Sequence, residues 1–272
     1  MRGVMFESTG ILKMRHGLRA AFAMAALTSP ASGATLKATY AISLIGLPLG
    51  TATISAEVAS GRYSVEGQAR LTGLATLVNN SRGASSGHGA LVEGRVSPSD
   101  FATTVSNSSS TRTIRMSIQN NAVAGVDISP PFDEKPDRIP LRPQDTHNIV
   151  DPVGAYIVPA PSGAPVGPAA CDRTIPVFDG YTRFDLKLSY SGEKQVSAKG
   201  YKGSVAVCNV RYVPVAGYRR DRPATKFMTD NKDVQVWLAP VEGAGVLAPF
   251  KISVKTMVGT LSLDATEFSV AK

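Results

Sequence analysis

Leu36–Leu71 reads LKATYAISLIGLPLGTATISAEVASGRYSVEGQARL, and its rhythm decides the fold class. Leu36, Ala38, Tyr40, Ile42 and Leu44 place an apolar residue at every second position, the mark of a strand with one covered face. The Gly46–Gly50 stretch then turns the chain. Ala52, Ile54, Ala56 and Val58 repeat the pattern, Ser60-Gly61 turns again, and Tyr63, Val65, Ala69 and Leu71 continue it. This predicts a three-stranded meander with short glycine-bearing turns.

The alternation breaks at LTGLATLVNN. Leu71, Leu74, Leu77 and Val78 fall at helical spacing, which predicts a short amphipathic helix ended by Asn79-Asn80. Strands resume in GHGALVEGRVSP, FATTVSN, TRTIRMSIQ and NAVAGVDISPP. NSSSTR is a hairpin tip and Asn120-Asn121 a turn. Arg112, Thr113 and Arg115 interleave with Ile114 and Met116, so one face there is solvated or lines a polar cavity. Residues 132–170 are too rich in proline for central strands. Within them Asp151-Pro152 offers an N-cap followed by proline, predicting a short helix over Val153–Val158. PAPSGAPVGPAA reads as a stiff surface loop. After it come the hairpin TIPVFDGYTRFDLKLSY, turning at Asp179-Gly180, the hairpin QVSAKGYKGSVAVCNVRYVPV, and about three further strands to the end. The expected architecture is all-β, about fourteen short strands in a large curved antiparallel sheet forming a barrel or spiral, with two short helices.

The N-terminus carries an export signal. Arg15 and Arg19 flank the apolar run Ala20–Leu27, and Ser32-Gly33-Ala34 supplies small residues at a cleavage point. The run is far shorter than the ~20 residues of a membrane span, so no transmembrane anchor is expected after cleavage. Met14 could start the signal by itself. The expected division is a signal peptide over 1–34 and one periplasmic domain over 35–272. Removing 1–34 takes Arg2, Lys13, Arg15, Arg19 and Glu7, so the formal charge falls from +8 to +5. That mild excess suits anionic lipid or polysaccharide. The scattered positive charges lack the interleaved aromatics of a nucleic-acid face.

In an oxidising compartment two cysteines are most simply one disulfide, Cys171–Cys208. Two buried free thiols or a reactive thiol are the alternatives. A zinc site lacks its CxxC pair and clustered histidines, so neither metal nor cofactor is expected. Three clusters bear weighing for chemistry. Asp145, His147 and Asp151 in DTHNIVD suggest a hydrolase base, but no nucleophile turn accompanies them, and a capped loop is the simpler reading. Asp172, Asp179 and Asp185 surround a hairpin whose turn already accounts for Asp179. Arg219, Arg220, Arg222 and Lys226 in GYRRDRPATK are the sharpest basic cluster, suited to phosphate or simply a solvated loop.

The layout resembles the bacterial family catalogued as domain of unknown function 3108, made of exported envelope proteins. The likeness lies in Tyr40–Gly50, Val92–Phe101, Ile149–Tyr156, Val177–Leu186 and the closing VGTLSL. It is similar in style to the β-spiral envelope-integrity proteins of α-proteobacteria, which carry one disulfide. The resemblance implies a large curved antiparallel domain in the periplasm and brings no catalytic residues. The function expected is non-catalytic envelope maintenance, by binding a lipid-like or peptide partner in the sheet's concavity. The alternatives are a carrier or sensor of anionic lipid or glycan using the basic loop, and a hydrolase using His147.

Overall fold

The computed structural model describes residues 33–73, 76 and 80–271. The export signal lies almost wholly outside them, as does half of the helix expected over Leu71–Val78. Fourteen strands form one antiparallel sheet. β1 (Ala34–Leu44), β2 (Leu47–Ala59), β3 (Arg62–Leu71), β4 (Arg82–Val92), β5 (Arg95–Ser106), β6 (Thr111–Gln119) and β7 (Ala122–Ser129) run outward as a meander. A long crossing segment then leads through β8 (Val158–Pro159) and the one-turn helix α1 (Pro168–Cys171) to the opposite edge. From there β9 (Arg173–Phe178), β10 (Arg183–Ala198), β11 (Tyr201–Ala216), helix α2 (Pro223–Asp230), β12 (Val234–Val241), β13 (Val246–Thr256) and β14 (Gly259–Ala271) meander back. The order is β7-β6-β5-β4-β3-β2-β1-β14-β13-β12-β11-β10-β9, with β8 on β13. The first and last strands therefore lie side by side in mid-sheet.

The two-residue turns carry the backbone that the right-handed twist of a hairpin demands. Ile45-Gly46, Ser60-Gly61, Glu93-Gly94 and Asn120-Asn121 all have positive φ at both positions. Glu93-Gly94 departs from expectation, because the sequence reading carried one strand through it. β5 instead runs unbroken from Arg95 to Ser106 and includes Pro98. A bulge at Ser99 of β5, opposite His88 and Gly89 of the neighbouring strand, lies next to that proline, which pairs with Gly89. Likewise the two C-terminal hairpins share one long strand, β10, bulged between Tyr190 and Gly192.

The edges β7 and β9 do not pair with each other. His147–Val150 spans the gap instead. His147 bridges to Ala122, and the Asn148 N–H donates to Asn121 O at 2.6 Å. Two residues on, the Val150 N–H donates to Pro176 O at 2.7 Å and Val150 O accepts from Phe178 N at 3.0 Å. This short strap pairs with the start of β7 and the end of β9, covering part of the backbone that sheet edges otherwise offer to other chains. Within the C-terminal half, the β10–β11 tip folds back onto β14. Lys199 O accepts from Phe268 N there, at 2.8 Å.

The crossing segment also fills the main core. Ile149, Val153 and Ile157 pack with Leu36, Tyr63, Val65 and Phe101. Gly87 makes room for it, since a Cβ there would lie 2.6 Å from Val153 Cγ2. Asp151 is fully buried. Its Oδ1 accepts from the N–H groups of Val153 (2.9 Å) and Gly154 (2.8 Å), the capping chemistry the sequence predicted. The helix it starts is only a 3₁₀ turn, Gly154–Tyr156, because the chain must extend at Val158 to pair with Leu247. Of the two expected helices, the one over Val153–Val158 is thus reduced to this turn, and the one expected around Leu74–Val78 falls mainly outside the described residues; α1 and α2 are α-helices that the sequence pattern does not announce.

Candidate functional site

Cys171 and Cys208 are disulfide-bonded, with Cα atoms 5.4 Å apart and both residues buried. They do not lie on adjacent strands. Cys171 ends α1, and Cys208 sits in β11 opposite Tyr190 of β10 and Val236 of β12. The link therefore fastens α1 across β10. It anchors a second apolar cluster, with Val158, Leu188, Val210, Val234 and Leu238.

This cluster leaves space beneath α2. Register places Leu186 opposite Tyr212 and Leu188 opposite Val210. Val236 faces Ile252 and Val234 faces Val254. Together with Tyr156 and Met228 they border a cavity of about 290 Å³. No charged side chain lines it, and Gln235 is the one amide at its wall, tied to Asn209 at 3.0 Å. α2 closes over this region. Arg222 in N-cap position and Pro223 start it, while Arg211 fixes its far end by donating to the carbonyls of Thr229 (3.1 Å) and Asn231 (2.6 Å). The sequence reading gave this stretch as a solvated loop. The helix is favoured by Met228, which packs partly buried against the second cluster, a tertiary contact that GYRRDRPATK alone does not display.

Beside the cavity lies a polar cleft of about 440 Å³. It sits at the seam where the two sheet edges approach, with Gly180 so close to β6 that a Cβ would meet Ile114 Cγ2 at 2.6 Å. Its floor is the pairing of Asp137–Ile139 with Gly217–Arg219. Arg138 locks that floor by stacking on Tyr181 at 4.0 Å and donating to Tyr181 O at 2.9 Å and Gly217 O at 3.1 Å. Arg112, Lys135, Arg219 and Arg222 are its cations. Arg219 Nε donates to Asp137 Oδ1 at 2.9 Å, holding that carboxyl below its usual range. Lys135 meets Asp133 at 3.4 Å. Arg112 stacks over Phe132 at 4.1 Å and donates to Pro130 O at 2.9 Å, but like Arg222 it has no carboxylate partner among the described residues. Asp179 accepts from Tyr181 N (2.8 Å) and Thr182 N (2.6 Å), yet burial raises its pKa. Burial, and then the nearby charge of Asp179, raises the Tyr212 phenol.

The basic cluster thus divides. Arg219 and Arg222 reach the cleft; Arg220 is exposed outside it, and Lys226 lies 3.8 Å from Asp221. The cleft's other components, Arg112, Lys135 and the tyrosines, come from distant segments. The solvated-or-cavity face read around Arg112 was the one sequence signal for them. DTHNIVD does not converge on one point. Asp145 is engaged by Arg142, which lowers its pKa. His147 Nδ1 lies 2.8 Å from Pro143 O, where it must be the donor. Asp151 faces inward. Asp185 pairs with Arg183 at 2.7 Å, and Asp179 caps its turn, so these acids do not gather with Asp172. Among the described residues no group of three or more His, Cys, Asp or Glu is arranged for a metal, and no helix is long and apolar enough to cross a membrane.

The family model described as "Protein of unknown function (DUF3108)" matches residues 38–266. The chain belongs to the DUF3108 family. No curated protein matches it. The DUF3108 chain is similar to the crystal structure of a β-barrel-like protein of domain of unknown function DUF1849 from Brucella abortus, at TM-score 0.50 and 8% identity, over 88% of this chain and 98% of that one. At that identity the likeness concerns fold alone. It agrees with the curled single sheet seen in DUF3108 here.

Proposed function

We propose that this protein is an exported, non-catalytic binding protein of the periplasm of a Gram-negative bacterium, and that it serves envelope maintenance by holding the hydrocarbon part of a lipid. The observation that carries this reading is the cavity of about 290 Å³ under α2, bordered by aliphatic and tyrosine side chains and by no charge. Its size is near the lower end of the ~300–1,000 Å³ of small-molecule sites. That favours one chain, or one apolar side chain of a peptide, over a whole bilayer lipid. The buried disulfide supports export, since oxidising compartments maintain such links. The basic loop acting alone as a glycan or lipid sensor is less favoured, because Arg219 is committed to Asp137. A His147 hydrolase is less favoured, because the carboxylates read beside it are engaged elsewhere, Asp145 by Arg142 and Asp151 by the Val153 and Gly154 N–H groups, while the ring's Nδ1 donates to Pro143 O.

Native mass spectrometry of protein purified from the periplasm tests the reading. The expected result is a co-purified molecule bearing a hydrocarbon chain. It should be lost in Ile252→Trp, which fills the cavity, while the circular dichroism spectrum is kept. The same adduct on the filled variant, or no binding of added acyl compounds to wild type, overturns it.

A further inference from the structure

The cleft and the cavity are neighbours in a specific way. Tyr212 lines both. α2 runs from one to the other, since Arg222 and Thr225 border the cleft and Met228 borders the cavity. Thr225 and Met228 are three residues apart, about 4.5 Å along a helix axis. A molecule with its chain against Met228 therefore has its polar end within reach of Arg222.

We propose that the two spaces form one site for a single-chain anionic amphiphile, with the chain in the cavity and a carboxylate or phosphate head in the cleft. This inference rests on the hydrocarbon-binding reading above and names the ligand class. Charge decides the sign of the head. Of the cleft's cations, Lys135 and Arg219 have Asp133 and Asp137 beside them, while Arg112 and Arg222 have no carboxylate partner among the described residues. Asp179, the remaining acid at the wall, is turned onto the N–H groups of Tyr181 and Thr182, which engage its carboxylate within the turn. Guanidinium forks bind carboxylate and phosphate alike, so both heads belong to the same chemistry. The fixed floor made by Arg138 and the Phe132–Tyr181 ring contact at 4.3 Å keeps the cleft preformed.

Isothermal titration with dodecanoate, dodecyl phosphate and the neutral glycerol monoester of dodecanoic acid tests it. The anions should bind wild type at least about tenfold more tightly than the neutral ester, the worth of one charge-assisted pair. In Arg222→Glu that ratio should fall to about one or below. Arg222→Gln, milder at the start of α2, should give an intermediate ratio, and both variants are checked for an unchanged melting transition. A stronger response of dodecyl phosphate than of dodecanoate would assign the head to phospholipid-derived ligands, and the reverse to fatty acids. Equal binding of anion and neutral ester to wild type, or a ratio insensitive to both substitutions, overturns the head-group inference while the hydrocarbon reading stands. No binding of any of the three compounds overturns both.

Discussion

Asp151 is the residue whose environment is most at odds with its chemistry. It is fully buried, and loss of hydration outweighs its two backbone hydrogen bonds, pushing its pKa from 3.8 up to about 6. A carboxyl raised in the folded state binds its proton more tightly there than in the unfolded chain. Stability therefore falls as pH rises from about 4 to about 6, by roughly 3 kcal/mol for a two-unit shift. Asp145, held down by Arg142, acts in the opposite sense and loses its contribution as pH falls below the ordinary carboxylate range. Comparing Asp151→Asn with wild type isolates the first effect. Asparagine keeps the capping oxygen without the charge. In urea titrations the variant should lack the slope between pH 4 and 6, and should match or exceed wild type at pH 7. A parallel pH profile for the two proteins would show that Asp151 is not the group concerned.

At the scale of elements, two attachments hold the helices over the second cluster. The disulfide closes a loop of 37 residues, worth about 4 kcal/mol in the chain-entropy account. The double variant Cys171→Ser, Cys208→Ser should lower the unfolding free energy by roughly that amount. Equal stability with and without the link would mean that α1 docks without help. Arg211 is the second attachment. Its guanidinium satisfies carbonyls at the end of α2 that the helix itself leaves open. Arg211→Met should cost about 1–2 kcal/mol, and amide exchange within Thr225–Asp230 should quicken more than in β11. The strands around these elements were legible in the sequence because alternation and Asp-Gly or Asn-Asn turns are local. α2 was not. Its eight residues owe their shape to a proline start, to Arg211 from another strand, and to a place for Met228, and two of those three are remote in the chain.

At the scale of the whole molecule, the strap His147–Val150 links the two edges of the sheet. Ile149 is nearly inaccessible and packs in the main core, while the backbone on either side of it hydrogen-bonds to opposite edges. Ile149→Ala should cost about 2–5 kcal/mol, as buried Ile truncations do. Its distinguishing sign is spatial. Exchange should accelerate at β7 and β9 together, though they are far apart in sequence, and much less at the β1–β14 pairing in mid-sheet. Uniform acceleration would place the strap's contribution in general packing rather than in joining the edges.

What the sequence determined by itself was the set of extended segments, most of their turns, the capping role of Asp151 and the pairing of the only two cysteines. Each depends on residues close in the chain, or on a count that admits one partner. Only the tertiary structure decided the order of strands, the bridging of the two edges by a proline-rich stretch, and the meeting of Arg112, Tyr212 and Arg222 around neighbouring polar and apolar spaces. Antiparallel pairing fixes which residues face one another only once register and curvature are set. Those follow from packing across the whole sheet, which no local pattern encodes.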